Sequence, residues 1–179
     1  SDLPDGNLVA FSGGIKGGTV SGGQSFACGD NFTDTRDSQI YPTVLIGAQC
    51  WLAKNLAYLP SVSPSNTGND TNPYYYVHGY QGADVTAAKA QVNYTSFGVL
   101  YNHPAALTAC PSGWHLPSDA EFKILVEGQA TAGCETGTGY QCSPAGDKLK
   151  ASGATYWNSS NTGTNTSGFS ARAGGHRNR

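Results

Sequence analysis

The sequence predicts a mixed α and β fold, and three observations carry that reading. Between Phe26 and Leu56, β-branched and aromatic residues alternate with polar ones, the period of strands. Ser118 stands three residues ahead of Glu121, and apolar residues at helical spacing follow, the signature of a capped helix. Around both lie long stretches of Ser, Thr, Asn, Gly and Pro that read as loop. At 179 residues the chain suits one domain of ordinary size, or one domain plus a short appendage. Such a domain buries roughly 70% of the surface its unfolded chain exposes.

Residues 1–27 hold two Gly-Gly-flanked apolar stretches, Leu8 to Phe11 and Ile15, each too short to fold alone. They are expected to form a Gly-rich arm along a sheet edge of this domain or of a neighbour, or else an ordinary leader strand. Next, FACGDNFTDT, a turn at RDSQ, then IYPTVLIG and QCWLAKNL read as hairpin strands. Residues 59–82 are rich in Pro, Ser and Asn and carry four tyrosines, a long surface loop with a short strand at Tyr74 to Val77. ADVTAAKAQV is Ala-rich and forms two or three helical turns from about Thr86. Pro104 starts a short helix through Ala109, which Pro111 stops. Beyond the capping pair, Phe122, Leu125 and Val126 bury one helical face. Residues 129–179 read mostly as loop, with Leu149, Trp157 and Phe169 as core anchors.

Composition narrows the setting. Charged residues make up 12% against a norm of about 25%, with 24 Gly, 10 Tyr and no Met. A formal net charge of −2 gives no long-range pull on nucleic acid or anionic lipid, so neither is an expected partner. No stretch approaches the roughly 18 apolar residues of a membrane span, so membrane insertion by this segment is not expected. The chain begins at Ser1 without Met, which fits a mature product after cleavage or a trimmed piece. Five cysteines would be a liability in a reducing cytosol, and no CxxC pair or tetrahedral grouping suggests zinc. Cys28 and Cys50 bracket the hairpin and Cys134 and Cys142 bracket a short polar segment, so both pairs are expected to close as disulfides, leaving Cys110 unpaired. The expected location is the cell surface, outside the cell. Asn31, Asn69, Asn93, Asn158 and Asn165 lie in glycosylation sequons, of which chance supplies several in so polar a chain.

Sequence signs of catalysis are absent, and no catalytic residue, metal ligand or cofactor is expected. There is no GxSxG and no SxxK, and Cys110, near His115, leads through Pro-Ser-Gly into a core aromatic. His78, His103, His115 and His176 stand apart, with no HxH or HExxH spacing. Asp30, Asn31, Asp34 and Asp37 offer oxygens to a hard cation but lack the DxDxDG pattern, and a hairpin turn braced by Asp37 and Arg36 is the expected reading. GGIKGG and GTGYQC match no phosphate-binding loop, and the HRNR cluster is short. The tyrosines Tyr74, Tyr75, Tyr76 and Tyr80, with Tyr94, remain: amphipathic rings that suit carbohydrate or protein contact, or that cover the sheet.

Four blocks in order carry a resemblance: FTDTRDSQIYPTVLIGAQCWLAKNL, FGVLYNHPAALTACPSGWHLPSDAEF, GDKLKASG and TNTSGFSARAGGHRN. From about Cys28 to the end the chain resembles the Fibrobacter succinogenes major paralogous domain, a bacterial surface-protein module. The resemblance implies an α+β, C-type-lectin-like fold related to that of formylglycine-generating enzymes: a twisted antiparallel sheet with two short helices and long loops. It implies no agreed catalytic activity, and neither the calcium triplets of true lectins nor the paired C-terminal cysteines of the oxidase are present. Members usually continue through a further strand to a Cys that would pair at the position of Cys110, so the domain at 28–179 is expected to lack that C-terminal strand. His103 stands where a Trp is common. The functional expectation is a non-catalytic recognition or adhesion domain whose partner is a protein or carbohydrate at the cell surface, with copies of itself included. The alternatives are a structural subunit of an extracellular filament or pilus and, more weakly, an oxidase-like enzyme.

Overall fold

The computed structural model describes residues 14–16, 26–131, 134, 142–157 and 160–173. Leu8 to Phe11, Asn158, His176 with the HRNR cluster, and most of GTGYQC lie outside the described residues. Six strands and five helices are described: β1 (Gly14–Lys16), β2 (Asn31–Asp34), β3 (Gln39–Ile46), β4 (Gln49–Leu52), β5 (Tyr75–Tyr76), α1 (Val85–Lys89), α2 (Val92–Phe97), β6 (Leu100–Tyr101), α3 (His103–Ala109), α4 (Asp119–Glu127) and α5 (Ala145–Leu149).

The hairpin segments form an antiparallel sheet in the order β1-β4-β3-β2. β1 lies against β4 with Ile15 opposite Cys50. The tight β3–β4 connection turns at Gly47, whose φ of 59° most side chains resist. Strand alternation then divides the core in two. Tyr41, Cys50 and Leu52 join one cluster with Leu56, Val99, Tyr101 and Trp114. Ile46 and Trp51 join the other, with Leu125, Leu149 and Phe169. This is why every residue of β4 is buried: the sheet is covered on both faces. A second, two-stranded sheet pairs β5 with β6.

The Ala-rich segment yields α1 capped by Asp84, followed by α2, which runs further than the two or three turns expected from about Thr86. α3 covers the expected span from Pro104 to Ala109, with Asn102 as N-cap and His103 exposed at its first position. The Ser118–Glu121 capping box is present at the start of α4, whose Leu125 is buried while Phe122 stays partly exposed against Trp51, ring centroids 5.6 Å apart. The expected loop after residue 129 contains α5, and five short helices are described where the resemblance implies two and the local signals three. Leu149 and Phe169 are core residues as expected, whereas Trp157 is half-buried, its Nε1 donating to the Ala171 carbonyl at 3.0 Å.

Buried tyrosine hydroxyls solve a problem that irregular backbone creates in a core, where unpaired polar groups are costly. Tyr41 accepts from the Ala57 N–H, Tyr94 donates to the Ala57 carbonyl and Tyr101 donates to the Tyr58 carbonyl. Burial pushes the Tyr94 phenol up to about 12 and the Tyr41 phenol well above its ordinary value, so both stay protonated. Asn102 fixes the 59–82 loop in the same way: its Nδ2 donates to the Asn69 and Asn72 carbonyls and its Oδ1 accepts from the N–H groups of Tyr74 and Ala105. Gly98, at φ 74°, is required where its chain passes 2.6 Å from the Leu56 carbonyl, measured from where a Cβ would stand.

Candidate functional site

Disulfides join Cys28 to Cys50 and Cys134 to Cys142. Cys110 is free, and burial pushes its thiol up to about 12, far from the reactive range. At the turn between β2 and β3, Arg36 pairs with Asp34, while Asp37 braces the turn separately through the Gln39 N–H. Arg36 donates through Nε and Nη2 to the buried Asp34 carboxylate, at 2.7 Å for Nη2. The same guanidinium reaches the Ala109 and Cys110 carbonyls at the end of α3 and stacks 3.7 Å over the Tyr58 ring. Burial opposes the Arg36 charge, but Asp34 outweighs it and raises the pKa. Asp37 accepts from the Gln39 N–H, and burial holds its carboxyl above the ordinary value. Among the described residues no three His, Cys, Asp or Glu side chains group to hold a metal.

The tyrosines singled out from the sequence are not one exposed surface. Tyr75 and Tyr76 are buried, Tyr75 edge-on to Tyr101, and Tyr94 is buried as well. Tyr74 and Tyr80 are half-buried, with Tyr74 stacked on Tyr76 at 6.4 Å. The rings of Tyr75 and Tyr76 fill the core because β5 lies inside, paired with β6, so any contact role in this segment falls to Tyr74 and Tyr80. His78 meets Asn93, and His115 meets Glu121 at 2.9 Å.

A groove of 510 Å³ opens elsewhere, within the range of about 300–1,000 Å³ common for ligand sites. One wall is Pro42 to Val44 of β3 with Ala53. Ala151, Ser152 and Tyr156 also line it, with the loop carrying Asn165, Gly168, Ser170 and Arg172. Local chemistry builds that loop. Asn165 Oδ1 accepts from the Ser170 N–H and its Nδ2 donates to Ser170 Oγ, both at 2.8 Å. Thr164 and Ser167 tie the loop to carbonyls of α5, and a parallel bridge joins Lys150 to Ala171. Gly168 lies so close to β3 that an added Cβ would come within 3.2 Å of Val44 Cγ2. Asn165 and Ser170 hold φ of 54° and 58°, left-handed values that cost about 1–3 kcal/mol each for such residues and cluster at functional sites.

Arg172 is the charge of the groove among the described residues. Its Nη1 donates to the Ser96 carbonyl at 2.7 Å and its guanidinium stacks 4.1 Å from the centre of the Tyr156 ring, itself edge-on to Phe97. Its buried Nε has no acceptor among the described residues. Burial, and then the nearby Arg172 charge, lower the pKa of Lys54. The sequence reading passed over Tyr156, Ser170 and Arg172, and met Asn165 only as a sequon. The signal that could have found them is the block TNTSGFSARAGGHRN, where Arg172 is the one charge between Thr164 and Gly175.

Among the described residues no helix is long and apolar enough to cross a membrane. The family model described as Fibrobacter succinogenes major domain matches residues 44–179. No curated protein and no solved structure matches the chain.

Proposed function

The chain belongs to the Fibrobacter succinogenes major domain family, and from that premise we propose that it is a non-catalytic extracellular recognition domain whose groove beside β3 binds its ligand. The groove carries the reading. Among the described residues its lining offers hydroxyl, amide, guanidinium and aromatic groups, which hold a ligand, and no carboxylate or imidazole base that would activate a hydroxyl. All but two of its lining residues, Pro42 and Thr43, fall inside the family match. Two disulfides support an oxidising compartment, hence the cell surface. The lectin-like architecture implied by the resemblance is part of this proposal, supported by antiparallel sheets, short helices and a long loop held by side chains. Arrays of glycans and secreted proteins, probed with the wild type and with Ser152→Trp, test it. Ser152 is exposed, so the indole fills the groove without entering the core. A folded wild type that binds nothing, or a ligand that Ser152→Trp leaves in place, refutes it.

A second reading, a structural subunit of an extracellular filament, draws on β1. Three residues flanked by Gly-rich sequence extend the sheet at β4, and so short a pairing suits exchange between copies. Light scattering at high concentration tests it, and a monomer with or without residues 1–25 refutes it.

A further inference from the structure

We propose that the groove binds a carboxylate-bearing saccharide, a uronic-acid unit of an acidic polysaccharide, with the carboxylate seated against the Arg172 guanidinium. The inference rests on the recognition reading above and names the class of ligand.

Charge comes first. Among the described residues Arg172 is the one cation of the lining, and no carboxylate lines it. The ion pairs among the described residues are Asp34–Arg36, His115–Glu121, Lys123–Glu127 and Asp147–Lys150, so neither Arg172 nor Lys54 has a carboxylate partner there. Lys54 follows Ala53 of the groove wall, and its ammonium is destabilised by burial and then by Arg172. Two like charges near each other, offset only in part by Asp37 at Lys54, favour an anionic guest.

The hydrogen-bond inventory points the same way. Two of the acceptors are already engaged: Thr43 Oγ1 accepts from the Gly29 N–H and Asn165 Oδ1 from the Ser170 N–H. Donors are in surplus. Asn165 Nδ2 gives one hydrogen to Ser170 Oγ and keeps a second, and Ser170, accepting there, keeps its own hydroxyl proton. Arg172 places Nη1 on Ser96 and retains further N–H groups. Stacking on Tyr156 holds the guanidinium flat, so a two-pronged carboxylate contact costs little additional order.

The walls favour a sugar over a peptide. β3 pairs with β2 only over Gln39–Pro42 and with β4 over Thr43–Ile46, so the ladder alone does not bar an extended backbone, and the lining decides. The lining interleaves small residues, Ala53, Ala151 and Gly168, with short polar ones, and presents no deep apolar pocket for an anchoring side chain. A ring bearing hydroxyls fits Tyr156, Ser152 and Ser170 better.

Calorimetric titration with oligogalacturonate and oligoglucuronate, their methyl esters, and a poly-glutamate peptide tests the proposal. The free acids are expected to bind at least about tenfold more tightly than the esters, and Arg172→Gln to remove that advantage. Arg172→Lys restores only part of it, because the planar fork is lost. Ser152→Trp, folded by circular dichroism, abolishes binding of the free acids. Equal binding of acid and ester, untouched by Arg172→Gln, overturns the acidic class and leaves the recognition reading standing. Tighter binding of poly-glutamate than of either uronate, lost with Arg172→Gln, overturns the saccharide. No binding of any probe by the folded wild type overturns the proposal, and the array screen then judges the recognition reading separately.

Discussion

Replacing Arg36 with alanine tests what fastens the β2–β3 hairpin to the end of α3. The Asp34 side chain is 1% exposed and that of Arg36 28%, so the pair is buried on one side only. Removing one partner of a buried ion pair costs about 3–5 kcal/mol. Here the lower end applies, because Asp34 still accepts from the Arg36 backbone N–H at 3.0 Å and solvent reaches the site. Loss of the cation from the Ala109 and Cys110 carbonyls adds about 0.3–1 kcal/mol, since they end a helix that no other side chain caps there. A total of about 3–4 kcal/mol is a large share of a stability of about 5–15 kcal/mol. In a domain of this size it lowers Tm by about 6–16 °C. Calorimetric melts of Arg36→Ala, Asp34→Ala and the double variant measure it, with a coupling of about 2 kcal/mol expected between the two positions. A single-variant cost below about 1 kcal/mol, or additivity within about 0.5 kcal/mol, would refute the brace.

Three further outcomes follow from the same packing. Loop separations of 22 and 8 residues correspond to about 3.4 and about 2.5 kcal/mol of disulfide stabilisation. Urea unfolding should therefore show a larger loss for Cys28→Ala with Cys50→Ala than for Cys134→Ala with Cys142→Ala, and the reverse order would contradict the chain-entropy account. Cys110, half-buried and raised to about 12, should react far more slowly with a disulfide reagent at about pH 8 than it does in urea, whereas equal rates would show that the fold does not hold its thiol protonated. Burial pushes the Glu121 carboxyl up, but the Ser118 N–H and His115 outweigh it and hold it below the ordinary 4.5. A depressed folded-state pKa gives stability that is present above 4.5 and lost as pH falls toward the lower value. Glu121→Gln should thus flatten the fall in Tm between about pH 5 and about pH 3, and an unchanged slope would show that Glu121 contributes nothing there.

Local signals carried the parts of the fold that depend on neighbours in sequence. The capping box at Ser118, the helix opened near Pro104, the strands around Ile40 to Leu52 and the cysteines that close short loops were all legible, because each is decided within a few residues. The β2–β3 brace was half legible. Spacing made Asp37 and Arg36 look like partners, but only the twist of the hairpin turns Asp34 inward beneath the guanidinium. The tyrosines misled for a physical reason. A Tyr-rich, Pro-rich stretch reads as exposed loop, yet a phenol can lie in a core whenever its hydroxyl reaches a backbone carbonyl, as Tyr76 does at Thr67. Irregular chain within the core supplies many such carbonyls, so tyrosine is the residue that such a core favours.

The groove was illegible because it is built from three distant pieces. Pro42 to Val44, Ala151 to Tyr156 and Asn165 to Arg172 meet only once the second core cluster forms, with Phe169 packed 5.6 Å from Trp51 and Leu149 beside them. Phe169 goes into that cluster while its neighbours Gly168 and Ser170 line the groove, and the left-handed turns at Asn165 and Ser170 are what point the chain both ways. Core and site are therefore coupled through one short loop. A substitution such as Phe169→Ala, costing about 3–5 kcal/mol as a core deletion, would also unseat Arg172 from the Tyr156 ring, whereas Ser152→Trp would block the groove without touching the core.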